Sequence, residues 1–177
     1  RELLRQLIKR VLRKTLVTRR IYNFEMILDL DDSGISRTLW LFGERELDHK
    51  FILSKTLHLD AKVLDIGANI GYYAIMESLM VGNNGSVFAV EPSPNNYVLL
   101  KSNIKLNNIN NVVAKQMAVS DFDGPATFHL AEQSNLNTFE KDMLLEHSNI
   151  LTSITVDTIS VSSLWKEHGK FDYLRMD

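Results

Sequence analysis

Hydrophobic residues follow several distinct patterns along the chain. Near the N-terminus they recur at helical spacing with Arg and Lys between them, which predicts a basic amphipathic helix. The apolar positions of this helix are Leu3, Leu4, Leu7, Ile8, Val11, Leu12 and Leu16. Residues 22–30 alternate between apolar and polar, and turn-forming residues follow at 31–34, so a short strand and a return of the chain are expected. Residues 44–59 are compatible with a helix that leads into the rest of the chain.

From residue 62 onward, short apolar runs alternate with helical patterns. The predicted strands are residues 62–66, 86–90, 112–119 and 171–176, and the predicted helices are residues 70–81, 94–107 and 161–168. Residues 125–130 and 150–159 show two further strand patterns. This alternation indicates an α/β fold with a mostly parallel sheet and right-handed crossovers. We therefore divide the chain into an N-terminal helix and hairpin extension, residues 1–60, and an α/β domain, residues 61–177.

Charge is distributed unevenly along the chain. Residues 1–20 hold eight Lys or Arg and one Glu, a net charge of +7, whereas the remaining residues carry a net charge of −9. We expect the leucine side of the first helix to pack on the domain, and the alternative is that it docks on an anionic membrane or a partner. The acidic main body argues against a nucleic-acid partner, because phosphate contacts require a basic surface. A homo-oligomer is compatible with this pattern.

Composition excludes several kinds of site. The chain has no Cys, and its five His residues show no metal-ligand spacing, so no metal site is predicted. The sequence has no apolar run near the roughly 20 residues of a membrane span, and its basic N-terminal segment is unlike a secretory signal. These features favour the cytoplasm. The chain opens on Arg1 and stops at Asp177 directly after a strand pattern, so we interpret it as a fragment.

The run Val63-Leu64-Asp65-Ile66-Gly67-Ala68-Asn69-Ile70-Gly71 has the pattern of a strand, a glycine turn and the start of a helix, and Glu91 follows twenty residues after Gly71. This geometry suits a nucleoside, because a carboxylate at the end of the next strand can accept hydrogen bonds from both ribose hydroxyls. Asn69 occupies the position where a dinucleotide site has its middle glycine. A pyrophosphate is therefore the poorer prediction.

Polar residues also stand at the ends of the four predicted parallel strands. These residues are Asp65 to Gly71, Glu91, Ala118 to Asp121, and Asp177. Taken singly, each has a structural explanation: a capping carboxylate, a glycine that permits a turn, or a solvated acid. Taken together, they indicate a ligand site, because the carboxyl ends of parallel strands meet at one crevice.

Several of these segments resemble the FkbM family of S-adenosylmethionine-dependent methyltransferases. The resemblance covers residues 34–177 and is carried by the following motifs: Asp65-Ile66-Gly67-Ala68-Asn69-Ile70-Gly71-Tyr72-Tyr73, Val90-Glu91-Pro92-Ser93-Pro94, Asn103-Ile104-Lys105-Leu106-Asn107-Asn108, Ala118-Val119-Ser120-Asp121 with Gly124, and Phe171-Asp172-Tyr173-Leu174-Arg175-Met176-Asp177. The resemblance implies a Rossmann-like methyltransferase sandwich, normally with seven strands. Because four core parallel strands are assigned here, we expect the later strands to be missing and one sheet edge to lack a partner strand unless another chain covers it, which leaves open whether the fragment is active by itself.

The resemblance also implies roles for individual residues. Gly67, Ala68 and Asn69, with Gly71 in the same turn, line the methionine part of S-adenosylmethionine. Asp65 orients its ammonium group or a bound water, Glu91 binds the ribose hydroxyls, and Pro92 packs on the adenine. The segment from Ala118 to Asp121 frames the adenine edge, and Asp177 lies near the transferred methyl group.

These implied roles lead to a functional expectation with two alternatives. We expect O-methylation of a small-molecule, sugar or glycan hydroxyl, with residues 133–149 as the acceptor-side loop and Asp177 as the proton acceptor. For Asp177 the alternative is that it orients the cofactor and that another residue of the family supplies the base. One alternative is an NAD-dependent oxidoreductase on a related fold. The other is a non-catalytic binding or scaffold protein that retains the fold.

Overall fold

The structure is a computed structural model that describes residues 1–12, 15–140 and 150–176, with the backbone alone at residues 11 and 12. Its helices are α1 (Glu2–Leu7), α2 (Ile35–Phe42), α3 (Leu47–Thr56), α4 (Tyr72–Val81), α5 (Pro94–Leu106) and α6 (Val161–His168). Its strands are β1 (Leu16–Ile21), β2 (Phe24–Asp29), β3 (Lys62–Ile66), β4 (Ser86–Val90), β5 (Val112–Lys115), β6 (Ala118–Ser120), β7 (Gly124–Ala131), β8 (Ile150–Ser160) and β9 (Tyr173–Met176). A π-helical turn, Ile8–Leu12, follows α1, and a 3₁₀ turn, Ser134–Leu136, follows β7.

A four-stranded parallel sheet with the order β5-β4-β3-β9 forms the centre of the domain. Successive residues of β3 face opposite sides of this sheet. Val63 packs in the cluster that contains Ala74 of α4 and Leu100 of α5, whereas Leu64 packs in the cluster that contains Leu164 of α6. Helices therefore cover both faces, which confirms the predicted α/β fold with a parallel sheet.

The N-terminal part contains a hairpin that packs against the domain. Strands β1 and β2 pair antiparallel through the two-residue turn at Tyr22 and Asn23, and Tyr22 adopts a left-handed φ of 54°. The hairpin, α2 and α4 share one buried cluster, to which β2 contributes Met26 and Leu28 and α4 contributes Tyr72. The extension therefore belongs to the same core as the start of α4.

Two predictions for the N-terminal part are wrong. The first helical pattern ends before Leu16, because residues 16–21 pair with β2 as a strand. The segment after the turn at residues 31–34 is helix α2, since Asp32 accepts hydrogen bonds from the backbone N–H groups of Gly34 and Ser36 at 2.9 Å each.

The leucine side of α1 also differs from the main expectation. Leu3, Leu4 and Leu7 are exposed, and Arg5 is the buried residue of this helix. Among the described residues, no helix has both the length and the hydrophobicity that crossing a membrane requires.

The predicted third strand is divided between two sheets. Residues 112–115 join the parallel sheet as β5, whereas β6 pairs with β8 in a separate sheet of order β6-β8-β7. Strand β9 forms an edge of the parallel sheet, and its residues Leu174 and Met176 are exposed. The glycine turn after β3 and the end of β4 lie side by side in the middle of this sheet, where the strand order places the candidate site.

Candidate functional site

The chain makes a sharp turn between the end of β3 and the start of α4. Gly67, Asn69 and Gly71 all adopt left-handed conformations, with φ values of 76°, 50° and 91°. Glycine enters this region without a steric penalty, and Asn is among the side chains that tolerate it best. The residue types of the motif therefore match the backbone that the turn requires.

Hydrogen bonds fix this turn to the end of β4. The carbonyl oxygen of Val90 accepts from the backbone N–H groups of Gly67 and Ala68, at 3.0 and 2.9 Å. The N–H of Gly71 donates to the carbonyl of Ala68 at 2.9 Å and closes the turn. The turn and the residue after β4, Glu91, are thus held together by the backbone.

The side chain of Glu91 is buried beneath this turn. Its Oε2 accepts from the backbone N–H of Asn69 at 2.8 Å, and its Oε1 accepts from the backbone N–H of Ser93 at 3.0 Å and from Nδ2 of Asn96 at 3.3 Å. Burial raises the pKa of Glu91 to about 7, although these hydrogen bonds oppose the shift. The carboxyl group therefore changes its charge close to neutral pH.

Asn69 connects the turn to two other parts of the site. Besides its backbone bond to Glu91, its Oδ1 accepts from the N–H of Ile70 at 2.9 Å, and its Nδ2 donates to the carbonyl of Ser134 at 3.2 Å. The segment after β7 is consequently attached to the glycine turn. Residues 133–140, the described part of the predicted acceptor-side loop, begin next to the motif.

A largely apolar cavity of about 230 Å³ lies beside the turn. Three of the predicted cofactor residues line it: Gly67, Pro92 and Ala118. The other lining residues are Ile66, Val90, Met117, Val119, Phe128, Asn137, Thr138, Phe139 and Met176. The cavity is thus bounded by the ends of β3 and β4, by β6 and by the segment after β7, and we call it the apolar cavity.

A second cavity, of about 220 Å³, shares the lining residue Asn137 with the first. We call it the acidic cavity, because Asp29, Asp31 and Asp32 contribute to its wall together with Ser93. Burial raises the pKa of Asp29, and repulsion by the carboxylates of Asp31 and Asp32 adds to the shift. The remaining lining residues are Ser36, Ile70, Asn95, Asn96, Leu99, Leu130, Ala131, Glu132, Ser134 and Leu151.

Asn69, Glu91 and the remaining predicted site residues lie outside the described walls of these two cavities. Asp65 is buried inside the sheet, where its Oδ1 lies 2.8 Å from Nη1 of Arg175. Ala68 and Gly71 are buried within the turn. Asp121 is exposed after β6 and accepts from Oγ of Ser120 at 3.1 Å. Asp177 lies outside the described residues.

Gly71 has a packing role in addition to permitting the turn. A Cβ at this position would lie 2.7 Å from Cδ1 of Leu100 on α5, which is closer than real Cβ contacts come. The glycine therefore allows α4 and α5 to approach each other.

Sequence reasoning missed Arg175 as a member of the site region. It lies on β9 opposite Asp65 in the parallel pair, and its guanidinium lies 3.9 Å from the centre of the Tyr73 ring. A signal was present, because a charged residue in the middle of a buried strand requires a partner of opposite charge. Asp65 was the acidic residue at the middle of a neighbouring predicted strand.

Comparison with solved structures gives partial similarity to other proteins. TYW2 of M. jannaschii in complex with AdoMet is 25% identical with a TM-score of 0.46, and the match covers 57% of this chain and 42% of that one. TYW2 of P. horikoshii in complex with MeSAdo is 23% identical with a TM-score of 0.48, covering 62% and 39%. A complex of aTrm5 with tRNALeu is 24% identical with a TM-score of 0.44, covering 56% and 27%. The matched region spans less than half of each of these proteins.

Sequence comparison identifies the family. A search of curated protein sequences gave no match. The family model described as the methyltransferase FkbM domain matches residues 65–177, which is more than half of the chain. Methyltransferases of this family use S-adenosylmethionine, so the cofactor expected from the sequence is confirmed at the level of the family. The matched region begins at Asp65 and includes the glycine turn, Glu91 and both strands that flank β3, and the chain therefore belongs to the FkbM methyltransferase family.

Proposed function

We propose that this chain binds S-adenosylmethionine between the glycine turn and the apolar cavity and methylates a hydroxyl oxygen of a small molecule, sugar or glycan. The observation that carries the proposal is the position of Glu91. Its carboxyl group is held by the N–H of Asn69, directly under the turn, while the next residue, Pro92, lines the apolar cavity. The proposed ribose acceptor and a residue of the proposed adenine space are thus consecutive in the chain.

The apolar cavity suits an adenine ring. Gly67 adds no side chain to its wall, Pro92 and Ala118 offer flat or small apolar surfaces, and Phe139 contributes an aromatic ring. Ligand sites are usually about 300–1,000 Å³ in volume, so a cavity of about 230 Å³ has room for only part of a nucleoside ligand. The remainder would extend past Asn137 toward the acidic cavity.

Glu91 has a lone pair left for a ribose hydroxyl, although its side chain is only 4% exposed and lines neither cavity. A carboxylate oxygen has two lone pairs, and Oε2 accepts a single hydrogen bond, from Asn69, among the described residues. Ser93 and Asn96 hold the other oxygen and fix the orientation of the group. We infer that Glu91 accepts at least one ribose hydroxyl through Oε2.

The glycine turn favours this ligand over a dinucleotide. In a dinucleotide site, free backbone N–H groups near the middle glycine bind the pyrophosphate. Here the N–H of Asn69 donates to Glu91, those of Gly67 and Ala68 donate to Val90, and that of Ile70 donates to the Asn69 side chain. The N–H groups that a pyrophosphate would need are therefore already used.

The protein would accelerate transfer mainly by alignment and by excluding water. S-adenosylmethionine supplies a methyl group already activated on a sulfonium sulfur. The chain has to hold an acceptor oxygen in line with that methyl group, and the acceptor loses a proton as its oxygen is methylated. We propose Asp177, which directly follows the cavity residue Met176 in the sequence, as the group that accepts this proton.

The acidic cavity is the proposed acceptor side of the site. It adjoins Ser93 and Asn96, the two residues that hold Glu91, and it is lined by the start of the predicted acceptor loop at Ser134 and Asn137. Its carboxylates accept hydrogen bonds from hydroxyl groups and repel phosphate groups. This lining favours a hydroxyl-bearing acceptor over a nucleic acid.

Isothermal titration with S-adenosylmethionine and, separately, with NADH tests the proposal. We expect the wild-type protein to bind S-adenosylmethionine and not NADH. The Glu91→Ala variant should bind it at least about tenfold more weakly, since a hydrogen bond to a charged group contributes about 1.5–3 kcal/mol. Glu25→Ala, which removes an exposed carboxylate on β2, is the matched control and should leave the affinity unchanged.

Three results would contradict the proposal. Unchanged affinity in Glu91→Ala, with circular dichroism showing an intact fold, would remove the ribose role. Binding of NADH in place of S-adenosylmethionine would support the oxidoreductase alternative, and binding of neither would support a scaffold.

A further inference from the structure

The first helix is attached to the domain by its polar side. Arg5 is buried and its Nη1 donates to the carbonyl of Leu30 at the end of the hairpin. Nη1 of Arg1 donates to the carbonyl of Leu41 at 3.1 Å, and Nζ of Lys9 lies 2.5 Å from Oδ1 of Asp31. These contacts orient the basic residues of the helix toward the acidic body.

The apolar side of the same helix consequently points to solvent. The side chains of Leu3, Leu4 and Leu7, which we call the leucine face, are 88%, 48% and 56% exposed. Residues three and four apart on a helix are neighbours, so the three leucines form one patch. This arrangement is the reverse of a surface helix that packs its apolar stripe on the core.

The charge around the leucine face indicates what covers it. Arg10 is exposed, Arg13 and Lys14 follow it in the sequence, and residues 1–20 have a net charge of +7. A second copy of the chain would bring another segment of the same charge onto the patch, which is unfavourable. An anionic surface with an apolar layer beneath its charges matches both the basic residues and the leucines.

We propose that the first helix docks on an anionic phospholipid bilayer, with the leucine face inserted at the boundary between headgroups and acyl chains and the exposed Arg10 beside it on the lipid phosphates. The main body of the chain is acidic, so anionic lipid would repel it and it would face away from the membrane. Docking of this kind would bring the chain to the lipid surface. It is independent of the reaction that the site performs.

Co-sedimentation with large phosphatidylcholine vesicles, with and without phosphatidylglycerol, tests this proposal. The protein should sediment with the phosphatidylglycerol vesicles, and added salt should release it. The double variant Leu3→Gln/Leu7→Gln should bind roughly tenfold or more weakly, because it loses two leucine insertions. The matched control Phe51→Gln/Leu59→Gln removes two exposed apolar side chains outside the first helix and should bind as the wild type does.

Each other outcome overturns the proposal. Failure of the wild-type protein to sediment with anionic vesicles would do so directly, and equal binding by the leucine variant would show that the leucine face is not the contact. A concentration-dependent dimer in analytical ultracentrifugation that the leucine variant abolishes would assign the face to a second copy instead. Titration of each variant with S-adenosylmethionine reports separately on the proposed cofactor site.

Discussion

Arg175 on β9 donates through Nη1 to the carboxylate of Asp65 on β3 at 2.8 Å, with both side chains buried. The guanidinium also lies over the ring of Tyr73 on α4, so one side chain joins two strands and a helix. Glu77, one helical turn after Tyr73, is fully buried in the same region. Burial raises the pKa of Glu77 well above its usual range, the Asp65 carboxylate adds to the shift, and Arg175 opposes it. The ion pair between Asp65 and Arg175 thus holds β3, the strand that ends in the glycine turn, to its neighbour β9.

Removal of the Arg175 side chain should destabilise the domain strongly. We expect Arg175→Met to lower the free energy of unfolding by about 3–5 kcal/mol, because Asp65 would remain buried without its cation. Urea denaturation followed by circular dichroism measures the change. Arg37→Met is the matched control, since its ion pair with Glu2 at 3.6 Å is partly exposed and contributes at most about 1 kcal/mol. A loss of less than 1 kcal/mol in Arg175→Met, roughly that of the control, would show that the pair does not brace the sheet.

The glycine requirement at Gly71 has two separable causes. Gly71→Ala should lower stability by about 2–4 kcal/mol, since it combines a left-handed φ with a Cβ placed 2.7 Å from Leu100 Cδ1. The same change made in a Leu100→Ala background has no Cδ1 to meet, so relative to Leu100→Ala it should show only the conformational part, about 1–2 kcal/mol. Thermal unfolding of Gly71→Ala in both backgrounds compares the two losses. Equal losses would mean that the contact between α4 and α5 adapts to the methyl group.

The side chain of Asn103 on α5 makes the backbone hydrogen bonds at the edge of β2 that a neighbouring strand would otherwise make. Its Oδ1 accepts from the N–H of Ile27 at 2.6 Å, and its Nδ2 donates to the carbonyls of Ile27 and Ile70 at 3.3 and 2.8 Å. Asn103→Ala should therefore lower stability by about 2–4 kcal/mol, because buried backbone groups lose their partners. Asn107→Ala removes the equivalent pair with Glu25 at the half-buried end of the helix and should lose about 1 kcal/mol or less.

Amide hydrogen exchange separates this loss from a general effect on the fold. In Asn103→Ala, protection of the Ile27 amide should fall more than that of Leu64 in the central strand. A uniform loss of protection would indicate that Asn103 contributes only to global stability. In that case the hairpin and α5 would not be joined locally by this side chain.

Elements that begin and end at local sequence signals, such as turn residues and caps, were predictable from the sequence. Strands β3 and β4 and helix α6 begin and end where the patterns predict, since their apolar runs are buried and bounded by turn residues. Helix α6 also has a local cap, because Oγ of Ser160 accepts from the N–H of Ser163 at 3.2 Å.

Elements that depend on distant partners were not predictable in the same way. The sequence of strand β1, in which apolar residues flank Thr18, Arg19 and Arg20, does not by itself distinguish a strand from a helix, and the strand depends on its pairing with β2 and on the contacts of the partly buried Arg19. Its guanidinium donates to the carbonyls of Leu39 and Trp40 in the last turn of α2. The pairing of Asp65 with Arg175 likewise joins residues that are far apart in sequence, so the motif gave Asp65 a ligand role while the structure gives it a buried partner.

Glu91 should make stability depend on pH near neutrality. Its pKa is about 7 in the folded protein, against 4.5 for an unperturbed carboxyl, so between these values the folded state binds a proton that the unfolded state has lost. The stabilisation that protonated Glu91 gives the folded state is complete below about pH 4.5 and is lost as the pH rises through 7. For a shift of this size, the loss is on the order of 3 kcal/mol.

Comparison of the wild-type protein with Glu91→Gln isolates this contribution from that of Glu77, whose pKa is also raised. Urea denaturation from about pH 5 to about pH 8 measures the free energy of unfolding of both proteins. As the pH rises over this range, the wild type should lose on the order of 3 kcal/mol of stability relative to Glu91→Gln. A carboxylate that accepts ribose hydroxyls is favoured in its ionised form, so S-adenosylmethionine should bind the wild type more tightly as the pH rises and Glu91→Gln equally at all pH values. A pH-independent difference in stability would mean that Glu91 is ionised throughout this range, because the three hydrogen bonds from Asn69, Ser93 and Asn96 would then outweigh its burial.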